Sequence, residues 1–277
     1  MPCHCIAVTP SAIHLSEMSN TPARFLALTR AISPMLASGE LTHLTRVPID
    51  VDAALAQHRA YSAALEALGC DVREVEPAPE HPDSVFIEDT AIVFDEIAVI
   101  TRPGATSRRG ETEAVARALE PLRPLAMITQ PGTLDGGDVL VVGRRVFVGR
   151  TGRTNDDGVA QLRMALEPYG YSVEVVEVTG CLHLKSAVTA VDDSTVLVNP
   201  AWIGADALAG FGRIEVDPAE PMAANIVRVG DGLLYAAAYP QTLARLKARG
   251  FAPLCVDASE LAKAEGAVTC CSLILNT

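Results

Sequence analysis

Asp89–Pro103 reads DTAIVFDEIAVITRP: an apolar run, a short acidic turn, a second apolar run, and a proline that ends it. Short apolar runs rich in β-branched residues and bounded by turn residues mark strands, so this stretch is a tight strand pair. The pattern returns in GDVLVVGRRVFVGRT (Gly137–Thr151), SAVTAVDDSTVLVNP (Ser186–Pro200) and NIVRVGDGLLYAAAYP (Asn225–Pro240). A recurrence every 40 to 50 residues or so, roughly the length of one supersecondary unit, signals a repeat architecture.

Helices are expected after three of the repeats, over Glu111–Glu120, Asp156–Glu167 and Gln241–Arg249. Thr154-Asn155-Asp156 supplies cap-type residues to the second, and Pro240 immediately precedes the third. A fifth unit can be assembled from the two ends of the chain. FLALTR (Phe25–Arg30) and SLIL (Ser272–Leu275) read as strands, and Asp52–Leu68 as an amphipathic helix ending at Gly69. Five strand–strand–helix units imply a radial or stacked α/β architecture closed by its terminal pieces, with turns and strand ends gathered around a central channel. No low-complexity linker divides the chain. Residues 23–277 are therefore expected to form one domain, and residues 1–22 a loose extension.

The chain has 277 residues, 49% of them hydrophobic and 20% charged, enough to bury a large core. Its formal charge of -12 argues against a nucleic-acid binder, since the longest basic clusters are Arg108-Arg109 and Arg144-Arg145. An acidic surface instead favours the approach of small cations. No apolar run nears the ~20 residues that span a bilayer, and the N-terminus lacks the basic region of a signal peptide. The seven scattered cysteines point to reduced thiols in a cytoplasm. Cys3-His4-Cys5 has no second half-site at metal-binding spacing.

Asp83, Glu88 and Asp89 punctuate the apolar stretch leading into the first repeat, and no Lys or Arg lies between Arg73 and Arg102. Unpaired buried charge is costly. The acids are therefore expected to hold a cationic ligand, with an arginine such as Arg102 on its carboxylate end, unless they sit on a solvated loop. Asp135 precedes a glycine pair in LDGGDVL, where positive φ or close backbone approach would be allowed. His183 opens HLKS, Arg153 lies in GRTN ahead of a helix, and Cys270-Cys271 precede the final strand. Singly, each has an ordinary structural reading. Together they fall at strand ends of different repeats, where a ring would bring them to one centre. A thiol, an imidazole with an orienting acid, and carboxylates for a cation form a coherent nucleophilic site.

The motifs PDSVFIED, TRPGATSRRGE, LDGGDVL, GRTN, HLKS and TCCS, in this order, resemble those of the dimethylarginine dimethylaminohydrolases, members of the guanidino-group-modifying (pentein) superfamily of five-bladed α/β propellers. The resemblance implies ββαβ-type blades around a central active-site channel. It implies hydrolysis of an N-methylated arginine to citrulline and an amine through a covalent thiouronium. Cys270 would be the nucleophile, His183 the proton carrier and Asp135 its orienting acid. Glu88 and Asp89 would hold the guanidinium, Asp83 the α-ammonium, and Arg102 and Arg153 the α-carboxylate. Leu41 would belong to a substrate lid, and Ala264 and Glu265 would bring backbone near the ligand. Arginine deiminases and amidinotransferases carry an acid two residues after the catalytic His, where this chain has Lys185, which favours a methylated substrate. No cofactor is implied, and Zn²⁺ is expected only as an inhibitor. Exposed Ala/Leu-rich helices would allow a homodimer. An arginine deiminase-like activity and a catalytically silent arginine-binding protein are the competing readings. A cysteine protease is disfavoured because Cys270 leads into a strand rather than a helix.

Overall fold

The computed structural model describes residues 25–204 and 206–277. The expected N-terminal extension and the Cys3-His4-Cys5 motif lie outside the described residues. The described chain forms five three-stranded sheets, each with one antiparallel and one parallel pairing.

The first blade takes β1 (Phe25–Arg30), helix α1 (Val51–Ala67) and β2 (Cys70–Val75) from the start of the chain. The second runs β3 (Ala91–Val93), β4 (Ala98–Ile100), α2 (Thr112–Leu119) and β5 (Leu125–Met127). The third is β6 (Val139–Val142), β7 (Arg145–Arg150), α3 (Asp156–Leu166) and β8 (Ser172–Glu177). In the fourth, a single helical turn α4 (Leu184–Ala187) precedes β9 (Val188–Ala190), β10 (Thr195–Val198) and β11 (Gly212–Glu215), and turns replace the helix. The fifth is β12 (Ile226–Val229), β13 (Gly232–Ala236), α5 (Pro240–Ala248) and β14 (Leu254–Val256). After a short helix α6 (Ser259–Ala262), β15 (Leu273–Asn276) returns to pair with β1, Phe25 opposite Asn276.

The four strand pairs read from the sequence are hairpins, β3–β4, β6–β7, β9–β10 and β12–β13. Each is joined by a parallel third strand, absent from the strand–strand–helix repeat but contained in the ββαβ blades that the family resemblance implies. The helices lie within one or two residues of their expected limits. Asp50 starts α1 by accepting from the Ala53 N–H, and Asn155 starts α3 by accepting from Gly158.

The middle strands read as almost unbroken apolar runs because both their faces are covered. In β7, Val146 and Val148 pack toward the second blade, while Phe147 packs toward the fourth. In β1, Leu26 and Leu28 pack against the second blade and Ala27 against the fifth. The five apolar clusters fall one between each pair of neighbouring blades, and the cluster joining the fifth blade to the first closes the ring. The architecture is radial, as the repeat spacing and closing strands imply. Among the described residues no helix is long and apolar enough to cross a membrane.

Candidate active site

Every blade delivers a polar side chain just ahead of its innermost strand. Glu88 and Asp89 precede β3, Asp135 precedes β6, His183 precedes β9, Asn225 precedes β12 and Cys270 precedes β15. Successive side chains in extended chain point opposite ways, and the axis uses that alternation. Asp89, His183 and Cys270 line a cavity of about 30 Å³, together with Glu40, Asp83, Phe86, Arg108, Arg153, Leu182, Ala264 and Glu265. Glu88, Lys185 and Thr269 face the other way, into a central channel of about 570 Å³ lined by the inner strands.

The glycine pair after Asp135 is required by crowding. A Cβ on Gly136 would lie 2.0 Å from the Glu88 carbonyl oxygen, and one on Gly137 2.6 Å from His183 Nδ1. Neither residue has positive φ, so of the two uses the sequence allowed, close approach is the one realised. The Gly137 N–H donates to Asp89 Oδ1 at 2.9 Å. Asp135 is fully buried; its Oδ1 accepts from the Gly104 N–H at 2.8 Å and its Oδ2 lies 3.1 Å from His183 Nε2. Asp138, also fully buried, accepts from the Leu184 N–H and from the hydroxyls of Thr151 and Thr154, which fixes the backbone beside His183.

Burial alone would depress the His183 pKa. The carboxylates of Asp89, Asp138 and Asp135 outweigh it and push the imidazole up to about 9. Burial raises Asp138 to about 6, against the pull of His183 and the two threonine hydroxyls. Burial would likewise raise Asp89, but His183 and Arg108 reverse this and hold it below the usual carboxylate range. Asp83 is raised by burial, partly offset by the Glu40 N–H on its Oδ2. Cys270 is pushed well above an ordinary thiol, first by burial and then by the negative charges of Glu88 and Asp89. Both shifts act in one direction at neutral pH, favouring a protonated thiol and an imidazolium on the wall of the same cavity.

The expectation that Glu88 and Asp89 wait unpaired for a ligand is corrected by partners distant in sequence. Asp89 is bonded by Arg108 Nη1, and Glu88 by Lys185 Nζ at 2.7 Å and the Thr269 hydroxyl at 2.7 Å. Asn225 donates to the Thr269 hydroxyl and accepts its N–H, completing the support from the fifth blade. The cavity also redistributes the arginines. Arg153 lines it, bonding Thr42 Oγ1 at 3.2 Å with Glu40 Oε2 at 3.6 Å. Arg102 is not among the lining residues, and its Nη1 donates to the Gly132 carbonyl. Arg108 takes its place. The signal for Arg108 lay in TSRRGE, whose basic pair entered the sequence reading only as a short basic cluster.

Residues 39–50 run without helix or strand over the cavity. They are held by Glu265, whose two oxygens accept the N–H groups of Thr42, His43 and Leu44 within 2.9 Å. Glu265 adopts φ 59°, left-handed backbone that a non-glycine residue rarely takes without tertiary support. Glu40 adds a bond to the Ser107 hydroxyl. Ala264 lines the cavity as expected, whereas Leu41 lies on the covering segment without lining it. A space of 30 Å³ holds about one water. A ligand the size of an amino acid needs more room than this.

A closed ring of five such blades, with thiol, imidazole and carboxylates at one end of its axis, is the fold and site of a pentein, the superfamily of enzymes that act on guanidino groups. No family model matches the sequence. Among curated proteins the chain is 47% identical over 250 residues to N(G),N(G)-dimethylarginine dimethylaminohydrolase of Streptomyces coelicolor, covering 90% of this chain and 96% of that one. It is 36% identical to the enzyme of the same name from Pseudomonas aeruginosa, over 81% and 89% of the two chains. The solved structure of the Pseudomonas enzyme, a cysteine-to-serine mutant complexed with citrulline, superposes with a TM-score of 0.84 at 34% identity, covering 90% and 98%. The N-terminal domain of the cyanobacterial arginine dihydrolase ArgZ shares the fold, with a TM-score of 0.77 at 20% identity over 90% and 97%. The chain belongs to the dimethylarginine dimethylaminohydrolase family of hydrolases.

Proposed function

We propose that the protein hydrolyses N-methylated arginine, dimethylarginine or monomethylarginine, to citrulline with release of dimethylamine or methylamine. One observation carries the reading: Cys270, Asp89 and a His183 poised to be charged at neutral pH line the same small cavity. The cation is held by the negative field of Asp89 and, from behind Thr269, Glu88. Asp83 takes the α-ammonium, and Arg108 with Arg153 takes the α-carboxylate by charge-assisted hydrogen bonds.

Cys270 must lose its proton to attack, and the surrounding acids oppose this. A bound guanidinium reverses the local field, so substrate itself favours the thiolate. The thiolate attacks the central guanidinium carbon, and His183 donates its proton to the departing amine as the C–N bond breaks. The product of this half-reaction is a thiouronium on Cys270. Neutral His183 then takes a proton from water as the water oxygen bonds to the same carbon. As the C–S bond breaks, the second proton of that water passes to the Cys270 sulfur, replacing the one the thiol released to solvent before attack, and citrulline leaves once residues 39–50 open. Asp135 holds the imidazole by its Nε2 side throughout.

Lys185 favours a methylated substrate. It stands two residues after His183, where arginine deiminases carry an acid, and it pairs with Glu88 on the channel side, so this position adds no carboxylate for unsubstituted guanidinium N–H groups. The reading of Zn²⁺ as an inhibitor draws support from ligand atoms of Asp89, Asp135 and His183 that lie within 4.8 Å of one another. A zinc ion there would inhibit by occupying the imidazole that must carry the proton, and chelation would restore activity. The function is tested by citrulline release from asymmetric dimethylarginine, monomethylarginine and arginine. Methylated substrates should lead in kcat/KM; no citrulline from any of them rejects the reading.

A further inference from the structure

Arg108 lines the cavity, yet most of its donors are directed elsewhere. Nε donates to Glu111 Oε1 at 3.1 Å and Nη2 to Glu111 Oε2 at 2.8 Å. Nη2 also reaches the carbonyls of Phe86 at 2.9 Å and Asp83 at 3.1 Å, and Nη1 holds Asp89. A guanidinium has five N–H bonds. This arrangement consumes four, leaving a single Nη1 N–H for a ligand.

Glu111 is 2% exposed and does not line the cavity. It ends the same 3-10 turn, Thr106–Glu111, that carries Arg108, so the two are three residues apart. Its backbone carbonyl accepts from Nη2 of Arg30, a fully buried arginine whose Nε and Nη1 have no protein partner. Glu111 thus bridges two buried arginines, its carboxylate pairing with Arg108 at the cavity and its backbone carbonyl accepting from Arg30. An exposed ion pair at this spacing would contribute little. A buried bidentate pair does more, because two parallel N–H···O bonds fix the plane of the guanidinium as well as its charge.

We propose that Glu111 is a positioning residue for amino-acid binding: its two-point grip sets the plane of Arg108 so that the one free Nη1 N–H meets the substrate α-carboxylate. The proposal rests on reading the cavity as an amino-acid site. In Glu111→Gln one oxygen becomes an NH₂ group facing Nη2, donor against donor, and the guanidinium must rotate out of plane. Glu111→Asp keeps the charge and both acceptors on a shorter stem.

The test compares KM and kcat for asymmetric dimethylarginine, the affinity for citrulline, and inactivation by chloroacetamidine. That probe alkylates cysteine, has a cationic head and lacks an α-carboxylate. For Glu111→Gln, KM and the citrulline constant should rise together by about 10- to 100-fold with kcat within about three-fold. Inactivation by chloroacetamidine should stay near wild type, and Glu111→Asp should recover part of the lost affinity. Unchanged KM and citrulline affinity in folded Glu111→Gln overturn the proposal. So does a matching fall in kcat and inactivation rate, which would mean general disorder of the site. If thermal melts show Glu111→Gln unfolded, Glu111→Asp decides: a smaller rise in the same two constants supports the role, and parity with wild type overturns it. A wild-type protein that makes no citrulline fails the functional reading instead, and calorimetric citrulline binding to both proteins would still read out Glu111.

Discussion

Two spaces lie back to back on the axis of the ring, a cavity of about 30 Å³ and a channel of about 570 Å³, and neighbouring residues serve opposite ones. Asp89, His183 and Cys270 face the cavity, while Glu88, Lys185 and Thr269 face the channel. The charges differ in kind. On the channel side Glu88 and Lys185 neutralise each other at 2.7 Å. On the cavity side Asp89, Asp135 and His183 crowd together, and the titration of Asp89 and His183 is displaced. Perturbed groups of this sort mark chemistry, whereas paired ones mark structure. The alternation that hides one face of a strand from solvent here divides a reactive surface from a supporting one, residue by residue.

The contrast is open to breakage at each position, beginning where the effect is largest. Cys270→Ser should lower citrulline formation by a thousand-fold or more, roughly the loss typical of a removed nucleophile. Asp95→Asn, at the channel, should leave the rate within about two-fold, the range of an ordinary surface change; comparable losses would erase the distinction.

Asp135→Asn should cost about a hundred-fold or more, because it removes the acceptor that holds the imidazole. It should also move a titration. His183 must be charged when the amine leaves, so the rate is sustained at lower pH and falls as pH rises through about 9. Asp135 is one of the groups that raise this value, and its loss shifts the falling limb down by about one unit. A pH profile of kcat/KM, which reports the free protein, checks the sign for the two proteins.

Within the acidic pair, Asp89→Asn should reduce kcat/KM by about a hundred-fold and Glu88→Gln by no more than about ten-fold, since only Asp89 lines the cavity. The reverse order, measured on one substrate, would assign the guanidinium to the wrong side of the axis. Smallest is the effect of the covering segment. Glu265→Ala removes the acceptor for three N–H groups and should speed iodoacetamide alkylation of Cys270 in the free protein by about three- to ten-fold, as expected for a modest shift toward an open state. An unchanged rate would show that residues 39–50 open without regard to Glu265.

What the sequence disclosed and what it withheld divide along chain distance. Hairpins such as β6–β7 and caps such as Asn155 are decided by neighbours, and both were readable. The outer strands were not: β5 is only Leu125–Met127, and it becomes a strand because β4 lies alongside it. The same divide runs through the site. Cys270, His183 and Asp135 stand at repeat boundaries and were found by position. Asn225 occupies the equivalent position of the fifth blade, and the repeat spacing alone could have located it. Arg108 was passed over for Arg102, because the choice depends on which guanidinium the turn Thr106–Glu111 aims inward. Glu88 draws its partners from the fourth and first blades, Lys185 and Thr269, and Asp89 draws Arg108 from the far side of its own blade's hairpin, so no short local window contains them.

The pairing of β1 with β15 sets Phe25 beside Asn276. Four blades have an unbroken connection between their inner and middle strands; in the remaining one the described chain is interrupted at that same corner. Splicing residue 276 to residue 25 through a two- or three-residue turn, with fresh ends cut at Asp192-Asp193, would relocate the gap from one petal to another. A polypeptide rearranged this way keeps every blade's strand pairing and is expected to bring Asp89, His183 and Cys270 to the same cavity.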